Sequence, residues 1–252
     1  VSTIVLFGVK GSGKDTVGDI LVANHGYAKD SFAAPIKQMV RIAFPKLTDE
    51  DLFGPSEKRE RQEPSYPIGG VCLSCGMGMG ALRRPDGVEP IGGHYPWACT
   101  RLLNDGTYCP TEYPPYLNAR IALQTLGTEW GRRLYRNVWV DSAFERIADR
   151  AYAYEVAAQI EPFPTPAPPV VITDGRFRNE LWRSKELGAF CVKLTRGLAE
   201  STSMHPSEQE FREIPDSAFD SILDNANIPL DRMDEAVSRM LAYMNAGPHV
   251  QE

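Results

Sequence analysis

Gly8-Val9-Lys10-Gly11-Ser12-Gly13-Lys14-Asp15-Thr16 decides the fold, because of what stands on either side of it. Before it runs Thr3-Ile4-Val5-Leu6-Phe7, apolar and β-branched, the pattern of a strand buried on both faces. After it Val17, Ile20 and Leu21 recur at helical spacing until Gly26. A strand, a glycine turn and a helix in that order make a phosphate loop. Its glycines let backbone N–H groups turn toward phosphate oxygens, and the helix N-terminus adds partial positive charge. Gly8, Lys10, Gly11, Ser12, Gly13, Lys14, Asp15 and Thr16 are the candidate donor-binding residues. Lys14 is placed to reach the β- and γ-phosphates of a nucleotide. Asp15 stands where such loops usually carry Ser or Thr, so it holds magnesium through water or faces the acceptor, and Thr16 touches the α/β-phosphates.

Working outward, helical patterns alternate with apolar runs. Ile36, Met39, Val40 and Ala43 form a second helix ending near Pro45. Helical spacing returns at Asn118 with Ile121, Leu123 and Leu126; Gly127 reads as an interruption and Thr128 as a cap for the next turn. A longer helix runs through Phe144, Ile147, Ala148 and Ala151, before the proline-rich linker from Glu161 to Pro169. Val170 to Thr173 and Phe190 to Leu194 are strands, with a helix ending at Gly188 between them. Ser221-Ile222-Leu223 is a short strand, and Met233, Ala236, Val237, Met240, Leu241 and Met244 line one face of a last helix. Strand–helix alternation predicts an α/β three-layer sandwich around a parallel sheet.

The stretch from Tyr66 to Tyr116 breaks the rhythm. It holds four of the five cysteines and nine of the 21 glycines, with little periodicity. Cys72 and Cys75 have knuckle spacing, and Cys99 and Cys109 supply a looser second pair. A segment too poor in apolar residues for its own core needs a staple, and structural Zn²⁺ held by four thiolates would be one. Four thiolates leave no open coordination position, so a catalytic zinc is not expected. The resulting division is 1–65 and 117–252 as the main domain, 66–116 as an inserted zinc-ribbon-like subdomain, and the polar stretch 196–215 as a lid.

Charge narrows the function classes. The 252-residue chain is 42% hydrophobic and carries a net charge of −6, against a broad basic surface for nucleic acid. No apolar run approaches the roughly 18 residues of a membrane span. The short apolar N-terminus reads as a strand without a signal peptide's basic leader, which leads to a cytoplasmic expectation. Homodimer formation is left open. Asp174-Gly175-Arg176 ends an apolar strand, where open parallel sheets bind ligands; its carboxylate suits magnesium or a sugar hydroxyl, and Arg176 a phosphate. Arg120, Gln124, Thr128, Arg132 and Trp139 suit a nucleoside monophosphate, although an amphipathic helix with surface arginines would look the same. Arg59, in the charge run Lys58-Arg59-Glu60-Arg61, either faces solvent or meets the acceptor phosphate. Cys191 reads as a small core residue, and His25 as a complement to a helix dipole.

Together these residues carry a resemblance. The phosphate loop, Leu123-Gln124-Thr125-Leu126-Gly127-Thr128-Glu129, Asp174-x-Arg176 and His205-x-Ser207-Glu208 resemble, in order, the bacteriophage deoxynucleoside monophosphate kinases, over about residues 1–60 and 118–245. The resemblance implies a P-loop kinase fold with a five-stranded parallel sheet and a closing lid that Arg196 opens. It implies ATP and Mg²⁺, a deoxynucleoside monophosphate as substrate, and host cytoplasm if the gene is a phage's. It places Arg120, Gln124, Thr128, Arg132, Trp139, Asp174 and Arg176 on the monophosphate side. Lys14, Asp15, Arg132, Asp174 and Arg176 would then serve the transfer itself. Asn118-Ala119 replaces the Ser/Thr-Pro common before that arginine, and the cysteine-rich insertion is a second departure. Phosphomevalonate kinases share the loop and the Asp-x-Arg element but not the Leu-Gln-x-Leu-Gly-Thr block. A kinase of another small phosphate, or a non-catalytic nucleotide-binding interaction module, are the competing readings. The base accepted, ATP against GTP, and the role of His205 are not legible.

Overall fold

The computed structural model describes residues 2–9, 11–68, 79–81, 97–99, 112–113, 116–160, 164–196, 210–226 and 228–246. Contacts divide the chain into two units, Val1–Ala34 with Arg136–Glu252, and Pro35–Tyr135.

The first unit is built on a five-stranded parallel sheet. Its strands are β1 (Thr3–Phe7), β2 (Ala28–Asp30), β8 (Val170–Gly175), β9 (Phe190–Thr195) and β10 (Ser221–Asp224). They lie in the order β10-β9-β1-β8-β2. Every residue of β1 is buried, as the β-branched run predicts for the central strand. Ile4 faces Val171 on one side and Phe190 on the other. Strand order reverses on either side of β1, so the loops after β1 and β8 open a crevice at the carboxyl edge of the sheet, the place where such sheets bind ligands.

Helices cover both faces. α1 (Lys14–His25) and the C-terminal helix α9 (Met233–Ala246) pack Val17, Leu21, Val237 and Met240 onto Ile4, Leu6, Val192 and Leu194. Each such side chain, fully enclosed, contributes about 1.5–3 kcal/mol of burial. α7 (Val138–Ala158) and α8 (Arg178–Glu186) pack against each other and bury Val140, Ala143, Ile147 and Leu181. α1 stops where Gly26 turns left-handed at φ 70° and gives its N–H to the Leu21 carbonyl. Cys191 is wholly enclosed in β9, and burial, with Asp220 nearby, pushes its thiol up to about 12. His25 does more than complement a dipole: its Nε2 pairs with Asp234 at 3.1 Å, tying α1 to α9.

The second unit holds α2 (Ala34–Ala43, begun in the first unit), α3 (Asp49–Phe53) and α4 (Ser56–Arg59). β3 (Gln62–Pro67) pairs antiparallel with β7 (Tyr116–Asn118), closing the base of the insertion. Within the insertion, β4 (Met79–Ala81), β5 (Trp97–Cys99) and β6 (Glu112–Tyr113) form a small antiparallel sheet. Cys99 ends β5; Cys72, Cys75 and Cys109 lie outside the described residues, as do Lys10 and His205.

Two sequence expectations change here. Gly127 does not interrupt the helix. α5 (Ala119–Gln124) runs into a π-helical segment, Thr125–Gly131, and on into α6 (Arg132–Leu134). Gly127 and Gly131 are both buried, and a Cβ on Gly127 would come within 3.0 Å of Ile36 Cδ1, so Gly127 serves close packing and not a break. Thr128 is therefore no cap; Asn118 caps, accepting the Ile121 N–H at 2.9 Å. Of the expected lid, residues 197–209 lie outside the described residues, while Phe211 and Ile214 are buried and Phe211 meets Phe219 ring to ring at 6.0 Å. Among the described residues no helix is long and apolar enough to cross a membrane.

Candidate active site

The glycine loop is folded around the head of α1. Ser12 donates its N–H to the Val9 carbonyl at 3.2 Å, and Gly13 accepts from Val17 at 3.0 Å. Gly13 stands at φ 90°, a left-handed conformation that admits glycine with little cost. Lys14 is buried, and its ammonium donates to the carbonyls of Gly8 at 2.6 Å and Val9 at 2.9 Å and to Ser12 Oγ at 3.4 Å. The loop thus carries a preset cation among its own carbonyls. Arg196, from the end of β9, donates to the Gly11 carbonyl at 3.4 Å.

On the β2 side of the loop, Asp15 is highly exposed and accepts from the Thr173 hydroxyl at 3.4 Å. Lys29 Nζ stands 3.5 Å from Asp15 and 2.9 Å from Asp19. Thr16 is exposed in the first turn of α1. This arrangement needs α1 close to β8: a Cβ on Gly18 would lie 2.4 Å from Thr173 Cγ2.

Asp174 ends β8 with both oxygens engaged. They accept the N–H groups of Phe32 at 2.8 Å and Ala33 at 3.0 Å. The carboxylate expected to hold magnesium or a sugar hydroxyl also caps the loop between β2 and α2. Arg176 follows at a turn pinned by buried Glu180, whose Oε2 accepts the Arg176 N–H at 2.7 Å and the Phe177 N–H at 2.9 Å. Trp139, expected on the monophosphate side, is 5% exposed in the first turn of α7.

The second unit carries the remaining candidates. Gln124, Thr128 and Arg132 lie along the α5–π–α6 helix, with Thr128 exposed and the other two half-buried. Arg120 pairs with Glu60. Arg59 is half-buried at the end of α4. The charge run around it is exposed but paired: Arg61 Nε donates to buried Asp51 at 2.8 Å. That bond, with the Thr48 hydroxyl and amide, holds the Asp51 carboxyl well below the usual carboxylate range.

Comparison with known proteins adds a likeness of sequence. A family model described as deoxynucleotide monophosphate kinase matches residues 2–62, the loop and its first flanking elements. A protein of Acanthamoeba polyphaga mimivirus, provisionally named a deoxynucleotide monophosphate kinase, is 26% identical over 224 residues, covering 88% of this chain and 87% of its own. The Escherichia phage RB69 deoxynucleotide monophosphate kinase is 25% identical over 221 residues, covering 81% of this chain and 86% of its own. Over most of its length the chain is similar to proteins named as deoxynucleotide monophosphate kinases. The solved structure of an unliganded sugar kinase from a Janibacter species covers 100% of this chain and 99% of its own at 11% identity, but its TM-score of 0.37 carries no argument.

Several residues of this chain escape a sequence reading. Asp30, ending β2, is gripped by Arg146 at 2.9 Å and Arg150 at 3.1 Å, while Arg146 also donates to the Ser31 carbonyl at 2.9 Å. Two arginines four residues apart on an otherwise apolar helix face were the available signal. Asn225 donates to the Ser12 carbonyl at 2.6 Å, and no pattern around it announces that contact.

Proposed function

We propose that this chain transfers the γ-phosphate of ATP to a deoxynucleoside monophosphate, giving the diphosphate. The observation that carries the reading is Lys14, buried at the head of α1 with its ammonium set among the loop carbonyls of Gly8 and Val9. Likeness over most of the chain to kinases named for this substrate supplies the acceptor class.

The acceptor phosphate is already an anion, so no strong general base is needed, and catalysis is positioning plus charge stabilisation. Gly8, Gly11, Ser12, Gly13, Lys14 and Thr16 would bind the donor's phosphates, with Lys10 and Arg196 beside them. The left-handed glycines and the close approach at Gly8 fit a phosphate cradle, since a Cβ there would strike Ser12 Oγ at 2.3 Å. Mg²⁺ would supply charge neutralisation between donor oxygens. Exposed Asp15 with the Thr173 hydroxyl fits such a cation's oxygen preference. Arg59, Arg120, Gln124, Thr128 and Arg132 are the acceptor residues of this reading, with Arg132 and Arg176 countering charge on the transferred group. Asp174 acts on the acceptor through the loop it caps, and Trp139 from within α7. Residues beyond Arg196 would close to exclude water, which would otherwise hydrolyse ATP.

The insertion completes the reading with structural Zn²⁺ on Cys72, Cys75, Cys99 and Cys109. Four soft thiolates are the donor set zinc prefers. One equivalent of zinc released by acid supports this; a folded, metal-free protein refutes it.

The functional test is diphosphate formation from Mg-ATP across deoxy- and ribonucleoside monophosphates, including modified bases, with phosphomevalonate as a control. Turnover of deoxynucleotides is expected. Turnover of phosphomevalonate alone would assign another small-phosphate kinase. ATP binding without turnover would make the chain an interaction module.

A further inference from the structure

The loop after β10 reaches across the sheet to the phosphate loop through one side chain. Asn225 is buried, its backbone N–H is fixed to the Thr195 carbonyl at 2.9 Å, and its Nδ2 donates to the Ser12 carbonyl at 2.6 Å. Only the amide NH₂ can face a carbonyl, so this contact fixes which way the side chain points. The same nitrogen lies 2.4 Å from where a Cβ on Gly13 would stand. Asn225 and Gly13 are thus fitted to each other, and the glycine is required by space as well as by φ.

The contact has a directional consequence. In a trans peptide the C=O and the following N–H point to opposite sides of the chain, and no cis bond occurs among the described residues. Drawing the Ser12 carbonyl toward Asn225 turns the Gly13 N–H the other way. That amide opens the N-terminus of α1, the group a bound phosphate would meet. A glycine-rich loop is the backbone most able to lose such an orientation, because glycine has the most conformations to sample.

We propose that Asn225 is a positioning residue for the donor: it locks the Ser12–Gly13 peptide so that the Gly13 N–H presents to the β-phosphate region of a nucleoside triphosphate. The proposal rests on the ATP-dependent reading of the loop. Its test uses ATP binding in the absence of any acceptor, so that failure of the acceptor assignment and failure of Asn225's role are separate results.

The informative substitution is Asn225→Asp, which keeps size and shape but sets a carboxylate oxygen against the Ser12 carbonyl. Asn225→Ala removes the bond without repulsion. ATP affinity by calorimetry is expected to fall about tenfold or more in Asn225→Asp and several-fold in Asn225→Ala. In the coupled assay KM for ATP should rise while KM for the monophosphate stays within twofold. Wild-type ATP affinity in either folded variant overturns the proposal, and so does an equal loss of ATP and monophosphate affinity, which a general loosening of the fold would give. Should Asn225→Asp not fold, Asn225→Ala and Asn225→Thr decide by the same measurement.

Discussion

Asp174 Oδ1 accepts the Phe32 N–H at 2.8 Å, joining the end of β8 to the start of the loop that leads into α2. With Ala33 on the second oxygen, one carboxylate satisfies two amides of the turn that leads into α2. Asparagine at this position offers one acceptor oxygen in place of two. Asp174→Asn is expected to fold but to lose about tenfold to 10²-fold in kcat/KM, through misplacement of that loop. The Mg²⁺ concentration for half-activation should not move. A large shift there would return Asp174 to a direct role with the metal.

Lys14→Ala tests the loop itself. Removing the ammonium leaves the Gly8 and Val9 carbonyls with one donor fewer, a cost of about 1 kcal/mol. Phosphoryl transfer should fall by about 10²–10³-fold or more while the far-ultraviolet spectrum stays unchanged. Near wild-type turnover would remove the loop from the reaction.

Gly18 reverses the usual helix rule. Glycine to alanine inside a helix ordinarily gains about 1 kcal/mol. Here the new methyl would lie 2.4 Å from Thr173 Cγ2, and overpacking of that kind costs about 1–3 kcal/mol. Gly18→Ala is therefore expected to lower the urea midpoint. Adding Thr173→Ser, which deletes the opposing methyl and keeps the hydroxyl, should recover most of the loss. Absence of recovery would mean that α1 is pressed by something else.

The Asp51–Arg61 pair predicts a pH signature. Asp51's folded pKa is depressed, so its contribution is present above the unfolded value near 4 and is lost as pH falls through the folded value. The stability gap between wild type and Asp51→Asn should be roughly 1–3 kcal/mol at pH 7, toward the lower end because Arg61 is 46% exposed. Chemical denaturation at pH 7 and pH 3 should show that gap narrowing with acid. A constant gap would rule out the charge as its source.

Strand, loop and first helix were legible because a β-branched run, clustered glycines and 3.6-residue spacing are local signals. The parallel sheet followed from alternation of strands and helices. What stayed hidden joins distant residues or reverses a local rule. Asn225 meets Ser12 from 213 residues away. Arg61 looks solvated until Asp51 is seen beneath it. Gly127 has the signature of a helix stop, yet its missing side chain is what lets Ile36 approach. Asp174 was found by its place at a strand end, but a carboxylate there looks the same in sequence whether it holds a ligand or a loop.

The Thr125–Gly131 segment works as a phase shifter along an otherwise continuous helix. Its i→i+5 bonding accommodates an extra residue, and each extra residue turns everything downstream by roughly 100°. Arg132 and Arg133 therefore emerge at an azimuth that an unbroken α-helix beginning at Ala119 would not give them. Deleting one residue would let the segment wind as α-helix with its arginines aimed as they are now, whereas α-helical winding at the present length would aim them elsewhere, so the wide turn encodes direction.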